Sequence, residues 1–336
     1  MIKEALNLLT EKRNLTEEQM AEAMRDIMEG RATDARIACF LTALRMKGET
    51  AGEITGAARV MREKVTRIKA PADTVDTCGT GGDMSRTFNI STTSAIVVAA
   101  CGVPVAKHGN RSVSSGCGSA DVLEALGIKI DLEPPKVEKC LEETGFGFMF
   151  APLFHPAMKY AIGPRKEMGI RTVFNVLGPL TNPAGAERQV MGVFSDELTV
   201  QMAEVLANLG VVHAFIVHGE DGLDEITNTD RTKISELKDG SIDTYYISPE
   251  DIGLRKARRE DLAGGDAAEN AKITTAILEG EKGPKRDIVI MNAAAALIAG
   301  GRAGDMKEAA EKAAAAIDTG AALEKLGEIR EVSNRL

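Results

Sequence analysis

From Pro71 onward the sequence alternates short apolar runs, glycine-bearing polar loops and helical stretches, and this order of elements leaves few folds open. Val75–Cys78 runs into Gly79-Thr80-Gly81-Gly82-Asp83, followed by an apolar helix over Thr92–Ala100. Val103–Ala106 runs into a polar stretch over 107–119, followed by a helix over Ala120–Leu126. The pattern continues with a strand at Phe146–Phe150, a helix at His155–Met168, a strand at Val190–Phe194, a helix at Asp196–Leu209 and a strand at Ala214–Val217. A further strand is read at Thr244–Ile247 and an Ala-rich helix at Asp287–Ile298. Such alternation predicts a mostly parallel sheet with helices on both faces. Ligands of such sheets bind beyond the carboxyl ends of the strands. The polar motifs at 79–83, 107–119 and 218–225 each follow a strand, so they are expected to converge.

The first 70 residues read differently. Leu6, Leu9, Met20, Met24, Ile27, Ala38, Leu41 and Leu44 recur at helical spacing, and no proline occurs before Pro71. Thr16 with Gln19 three residues on marks a helix start, Thr33 or Asp34 a second, and Thr50-Ala51-Gly52-Glu53 another. Nothing in this region carries chemistry. Gly178-Pro179 and Asn182-Pro183 interrupt the later alternation, so the chain is expected to return to the helical part there. The domains read as 1–70 (with about 165–188 returning to it) and 71–164 with 189–336; hinges are expected near 70–75, 163–175 and 183–190.

Composition excludes several classes. The net charge of −9, aromatic content of 4% and absence of Trp argue against general nucleic-acid binding. The five cysteines form no Cys-x-x-Cys pair, and the N-terminus reads as an amphipathic helix, not a signal peptide. No apolar run approaches the ~20 residues needed to span a bilayer. A cytoplasmic protein with no membrane association is expected.

Two loops have the chemistry of anion sites. Gly79, Gly81 and Gly82 let backbone N–H groups approach an oxyanion, and the helix start at Ser91-Thr92 adds its dipole. A short glycine run is also what an ordinary strand–helix turn carries. The stretch Lys107 to Ser119 gathers two cations, His108, four serines and three glycines in thirteen positions, an unusual concentration of small donors. Lys107 and Arg111 would neutralise phosphate, and Ser119 precedes a helix. Asp224-Glu225 could hold Mg²⁺ beside a polyphosphate. The four histidines lack metal-ligand spacing; His213 reads as structural, His108 and His155 as pocket residues.

These motifs, with His155-Pro156-Ala157-Met158 and the run Asn175 to Pro183, resemble the anthranilate phosphoribosyltransferases in order and spacing over essentially the whole chain. The resemblance implies a small all-helical domain joined to a larger α/β domain of the nucleoside phosphorylase/phosphoribosyltransferase-like kind, and a homodimer through the helical domains. It implies transfer of the phosphoribosyl group of 5-phosphoribosyl 1-diphosphate to the amine of anthranilate in tryptophan biosynthesis. Gly79, Gly82, Asp83, Thr87, Asn89, Ile90, Ser91, Thr92, Lys107, His108, Gly109, Asn110, Arg111, Ser112, Val113, Ser114, Ser115 and Ser119 would contact the phosphoribosyl diphosphate. Asn110 and Arg165 would bind the anthranilate carboxylate, with Gly79, His108, His155 and Gly178 along its path. Ser91, Asp224 and Glu225 would hold two Mg²⁺ per chain. Met84-Ser85-Arg86 receives no role.

An aromatic amine is neutral at pH 7, so no general base is needed to expose its lone pair. Electrostatic stabilisation of the leaving diphosphate and positioning would carry the rate. Closure about the hinges would assemble the site. Two other readings stay open on the residues alone: a pyrimidine nucleoside phosphorylase-like enzyme, and a non-enzymatic relative that binds nucleic acid.

Overall fold

A computed structural model describes residues 1–83, 85–112 and 116–336. The chain opens with four helices, α1 (Ile2–Thr10), α2 (Glu17–Met28), α3 (Asp34–Lys47) and α4 (Ala51–Lys64). Their starts are set by side chains. The Thr16 and Thr50 hydroxyls accept from the amides of Gln19 and Glu53 in reciprocal capping boxes, and Thr33 accepts from the Arg36 amide. Each such cap is worth about 1 kcal/mol. Glu53 is also a buried hub: it accepts from the Leu15 amide at 2.8 Å and from Lys47 Nζ at 2.8 Å, with no exposed side-chain surface.

The α/β part then follows as β1 (Val75–Gly79), α5 (Ile90–Ala100), β2 (Val105–Gly109), α6 (Ser119–Ala125), α7 (Pro134–Thr144) and β3 (Phe146–Phe150). Next come the short α8 (Ala151–Phe154), α9 (Lys159–Met168) and α10 (Phe174–Leu177), then β4 (Arg188–Gly192), α11 (Glu197–Asn208) and β5 (His213–Gly219). The chain closes with β6 (Thr232–Lys238), β7 (Ser241–Ile247), α12 (Ala267–Leu278), α13 (Pro284–Ala299), α14 (Met306–Asp318) and α15 (Ala321–Arg335). The strand order is β3-β2-β1-β4-β5-β6-β7. The first five strands are parallel; β6 and β7 are added antiparallel at one edge.

The fold is thus the expected helical bundle with a mostly parallel sheet, and three differences are informative. β2 runs through Lys107 to Gly109, so the polar stretch begins inside the strand rather than after Ala106. The helix read over His155–Met168 is broken: Pro156–Met158 is a 3-10 turn before α9. The sequence pattern does not predict the strand over 232–238 or the helices α7, α12, α14 and α15.

Both faces of the sheet are covered, with side chains alternating between them. Phe215 and Val217 enter the core formed with α5, α13, α14 and α15, while Ala214 and Ile216 enter a second core. That second core includes α1 to α4, Ala161 of α9, Phe174 and Leu177 of α10, and Met202, Ala203, Val205 and Leu206 of α11. The bundle therefore shares one apolar interior with a sheet face. A third cluster, with Ala106 and Met149, covers the same face under β2 and β3.

Candidate active site

Strand order reverses at β1: β2 lies on one side and β4 on the other, so a crevice opens beyond their carboxyl ends. β1, β2, β4 and β5 end in Gly79, Gly109, Gly192 and Gly219. The absence of side chains there lets the four following loops meet. A Cβ on Gly79 would lie 2.5 Å from Asp224 Oδ2, and one on Gly109 would lie 2.1 Å from Ser119 Oγ.

The loop after β5 reaches across to the loops after β1. The Gly81 amide donates to Asp224 Oδ2 at 2.8 Å, and the Ser91 amide at the start of α5 donates to Glu225 Oε1 at 3.2 Å. Asp224-Glu225 is thereby clamped between the glycine loop and a helix N-terminus. Burial, and then the Asp83 carboxylate beside it, push the Asp224 carboxyl up to about 7. Burial and then Asp224 push Glu225 well above the glutamate range, against the pull of Lys107. Crowded carboxylates that resist ionisation fit a site built around a divalent cation. Among the described residues no three His, Cys, Asp or Glu side chains converge into a ready-made metal cage. Two carboxylates beside a serine hydroxyl suit Mg²⁺, which keeps water and substrate phosphate among its ligands.

Lys107 is only 2% exposed, because β2 carries it under the loops. Its ammonium donates to the Thr77 carbonyl and lies 3.4 Å from Ser91 Oγ. Burial lowers its pKa, while the charges of Asp76 and Glu225 favour its ionised form, so it stands beside Ser91 as a cation beneath the crevice. Arg111 is turned away from it: its guanidinium pairs with Asp121 and Glu124 of α6 and lies over Phe150.

The remaining expected residues fall around the rim. Asn89 precedes α5 without capping it and donates to the Cys117 carbonyl at 3.3 Å. Ile90 and Thr92 have buried side chains, so only their backbone can meet a ligand. Thr87 pairs with Ala263 in an isolated bridge and shares a hydroxyl contact with Ser85. Gly82 lies in the glycine loop with φ +80°. The Ser112 amide donates to Asp121, and Ser119 Oγ donates to the Asn110 carbonyl at 3.4 Å. Val113, Ser114 and Ser115 lie outside the described residues.

His108, His155 and Gly178 come together. The two histidines approach through their Nε2 atoms at 3.1 Å, and the Gly178 backbone bonds His108. Burial pushes His108 down to about 3 and His155 to about 4, so both rings are neutral near pH 7. Arg165 on α9 is partly buried and, among the described residues, its guanidinium has no ion pair; it lies 4.9 Å from the Phe174 ring centre. Burial lowers its pKa.

Three supporting residues escaped sequence reasoning. Asn270 of α12 donates to Asn89 Oδ1 at 3.0 Å, Arg171 bonds the glycine loop, and Gly192 lies against the Asp224 backbone. Their partners lie far away in sequence, so no local pattern signals them. His213 is structural, as read: it is buried and bonds Glu236 at 2.8 Å.

Comparison with known proteins matches this arrangement. Residues 3–65 match the helical bundle domain of a glycosyl transferase family, and residues 71–323 match its a/b domain. Anthranilate phosphoribosyltransferase of Acetivibrio thermocellus is 56% identical over 99% of this chain and 97% of its own. That of Moorella thermoacetica is 57% identical over 97% of this chain and 96% of its own. The crystal structure of the Thermus thermophilus enzyme superposes with a TM-score of 0.93 at 42% identity, covering 98% of this chain and 99% of that one. The Saccharomyces cerevisiae enzyme in complex with PRPP and Mg superposes with a TM-score of 0.90 at 29% identity, covering 100% of this chain and 98% of that one.

Proposed function

The chain belongs to the anthranilate phosphoribosyltransferase family, and from that premise we propose how its own residues divide the work. The reaction transfers the phosphoribosyl group of 5-phosphoribosyl 1-diphosphate (PRPP) to the amine of anthranilate, in tryptophan biosynthesis. The bond from C1 to the diphosphate oxygen breaks, the bond from C1 to nitrogen forms, and the amine gives up a proton. The relatives favour this reading over the phosphorylase and nucleic-acid alternatives.

The observation that carries the assignment is the clamp of Asp224 and Glu225 onto Gly81 and Ser91. It aligns two carboxylates with the glycine loop and a helix N-terminus at one point of the crevice. Gly79, Gly82, Asp83, Thr87, Asn89 and the first turn of α5 take the diphosphate and ribose; the loop from Asn110 to Ser119 takes the rest of the phosphoribosyl group. Ser91, Asp224 and Glu225 hold Mg²⁺, two ions per chain, which supply positive charge against the leaving diphosphate. Lys107 adds a fixed charge from beneath. Arg165 and Asn110 bind the anthranilate carboxylate, while the neutral His108 and His155 and the Gly178 backbone line the path of the ring. No residue is needed to deprotonate a neutral aromatic amine before attack. Catalysis rests on positioning and on preorganised charge.

We assign the helical domain to residues 1–70 with about 165–188, and the α/β domain to 71–164 and 189–336; the packing of Phe174 and Leu177 of α10 on the bundle supports this return. A homodimer through the helical domain is supported by exposed Met46 on α3. Five free cysteines support a reducing cytoplasm, and among the described residues no helix is long and apolar enough to cross a membrane.

Anthranilate consumption with PRPP and Mg²⁺ tests the whole reading. Turnover is expected to need Mg²⁺, to vanish in Asp224→Asn/Glu225→Gln, and to show a raised anthranilate KM in Arg165→Ala. A folded wild type without turnover would overturn it.

A further inference from the structure

Arg171 stands between α9 and α10, on the bundle side of the chain, yet its side chain ends in the loop after β1. Its Nη2 donates to the carbonyl oxygens of Gly81, at 3.4 Å, and Gly82. The guanidinium lies over the Phe194 ring, 4.2 Å from its centre. Among the described residues no carboxylate pairs with it. A Cβ on Gly82 would fall 1.3 Å from the same Nη2. The third glycine of the run therefore makes room for this arginine as well as supplying a φ of +80°.

A trans peptide points its C=O and N–H in opposite directions. The Gly81 oxygen shares a peptide with the Gly82 amide, and the Gly82 oxygen shares one with the Asp83 amide. A guanidinium holding both oxygens fixes both amides on the opposite side of the loop. No described residue accepts from either amide, whereas the neighbouring Gly81 amide is already taken by Asp224. Two oriented, unclaimed amides next to paired carboxylates make an anion-facing edge.

We propose that Arg171 is a positioning residue for the diphosphate. It never touches the ligand; it holds two carbonyls back so that the amides of Gly82 and Asp83 face the diphosphate of PRPP. This rests on the transferase reading above. It also links the two substrates, because Arg171 and Arg165 belong to the same segment returning from the bundle.

The test is calorimetric titration of the whole protein with magnesium diphosphate, beside steady-state kinetics, for wild type, Arg171→Ala, Arg171→Lys and Phe194→Leu. Arg171→Ala is expected to weaken magnesium diphosphate binding and raise the PRPP KM by about tenfold, the scale of one lost charge-assisted hydrogen bond. The anthranilate KM stays within about twofold, since a uniform binding loss elsewhere would move both constants. Arg171→Lys keeps a single donor nitrogen and recovers part of the loss. Phe194→Leu loosens the guanidinium and shifts the PRPP KM in the same direction, which keeps the idea testable if the alanine variant fails to fold. Unchanged diphosphate affinity in a folded Arg171→Ala overturns the proposal, as does a parallel rise of both KM values with loss of thermal stability. A wild type that binds magnesium diphosphate but never consumes anthranilate sinks the transferase reading instead, and the calorimetric comparison still decides the role of Arg171.

Discussion

Gly192, the last residue of β4, lies directly under the Asp224 backbone: a Cβ placed on it would sit 1.6 Å from the Asp224 carbonyl oxygen. The acidic loop is thus seated on the end of a neighbouring strand, and its height above the sheet is set by a missing side chain.

Gly192→Ala must therefore lift Asp224 and Glu225 away from Gly81 and Ser91. The backbone beneath is a central parallel strand and cannot yield. We expect a folded protein whose Mg²⁺ requirement rises by at least about tenfold, since a misplacement near 1 Å in a positioned site costs on that scale or more. Titrating activity with Mg²⁺ at saturating substrates checks it; an unchanged half-saturation would mean the acidic loop does not hold the metal.

His108 and His155 titrate far below the ordinary histidine value, and burial is the main cause for both. A histidine whose folded pKa is depressed favours the neutral form. Its contribution to stability is present above the unfolded value of about 6.5 and is lost as pH falls toward the folded values. Stability is expected to fall between about pH 6.5 and 4. His155→Asn should lessen the slope and let His108 titrate higher, because its cationic neighbour is gone. Histidine ring resonances followed by NMR from pH 8 to 5 should stay flat for these two residues; a midpoint near 6.5 for either would refute the assignment.

How much of this was legible in the residues follows from the range of the interactions. The caps at Thr16 and Thr50 and the strand starts at Val75 and Phe146 depend on neighbours a few positions away, and they are where the sequence puts them. The convergence of 79–83 with 224–225 follows from the rule for parallel sheets and holds in the clamp on Gly81. β2 looked finished at Ala106 because Lys107 and His108 are polar. The strand continues because Thr77 and Ser91, on other elements, take the buried ammonium. β6 (Thr-Lys-Ile-Ser-Glu-Leu-Lys) mixes polar and charged residues with only two apolar ones, and its antiparallel partners β5 and β7 on either side give it away. Arg111 reads as a phosphate ligand from its own loop, but the carboxylates that hold it come from the following helix.

The Glu53 hub predicts a clear order of destabilisation. Glu53→Ala strips the acceptor from the Leu15 amide, the Thr50 amide and Lys47 Nζ at once. A cost of about 3–5 kcal/mol is expected, typical of breaking a buried ion pair from one side. Lys47→Met should cost less, because the carboxylate keeps three other donors, Leu15 N, Thr50 N and Thr50 Oγ1. Urea denaturation of both variants gives the order, and Lys47→Met costing more than Glu53→Ala would contradict this account. Activity per folded molecule should not change, because the hub lies in the bundle and away from the crevice.

The shared core limits how the two substrates can be brought together. α11 packs its apolar face with α4, and α4 caps the end of α11: Arg59 Nη2 donates to the Asn208 carbonyl at 3.0 Å and Arg62 Nη1 to the Leu209 carbonyl at 3.2 Å. Cations on the negative end of a helix add to the apolar contact. Arg62 also donates to the Leu180 carbonyl at 2.7 Å, and burial pulls its pKa down to about 10, so moving it would strand a cation in an apolar seam. A rotation that parts α4 from α11 is therefore costly. Closure is expected instead in the segment 165–188 and in the loop carrying Gly79 to Asp83, which Arg171 joins. Hydrogen exchange with PRPP, Mg²⁺ and anthranilate should show new protection at Gly81 to Asp83 and across Arg171 to Phe174, with α4 and α11 unchanged. Loss of protection along α4 and α11, or compaction in solution scattering large enough for rotation of the whole bundle, would place the hinge at this seam after all.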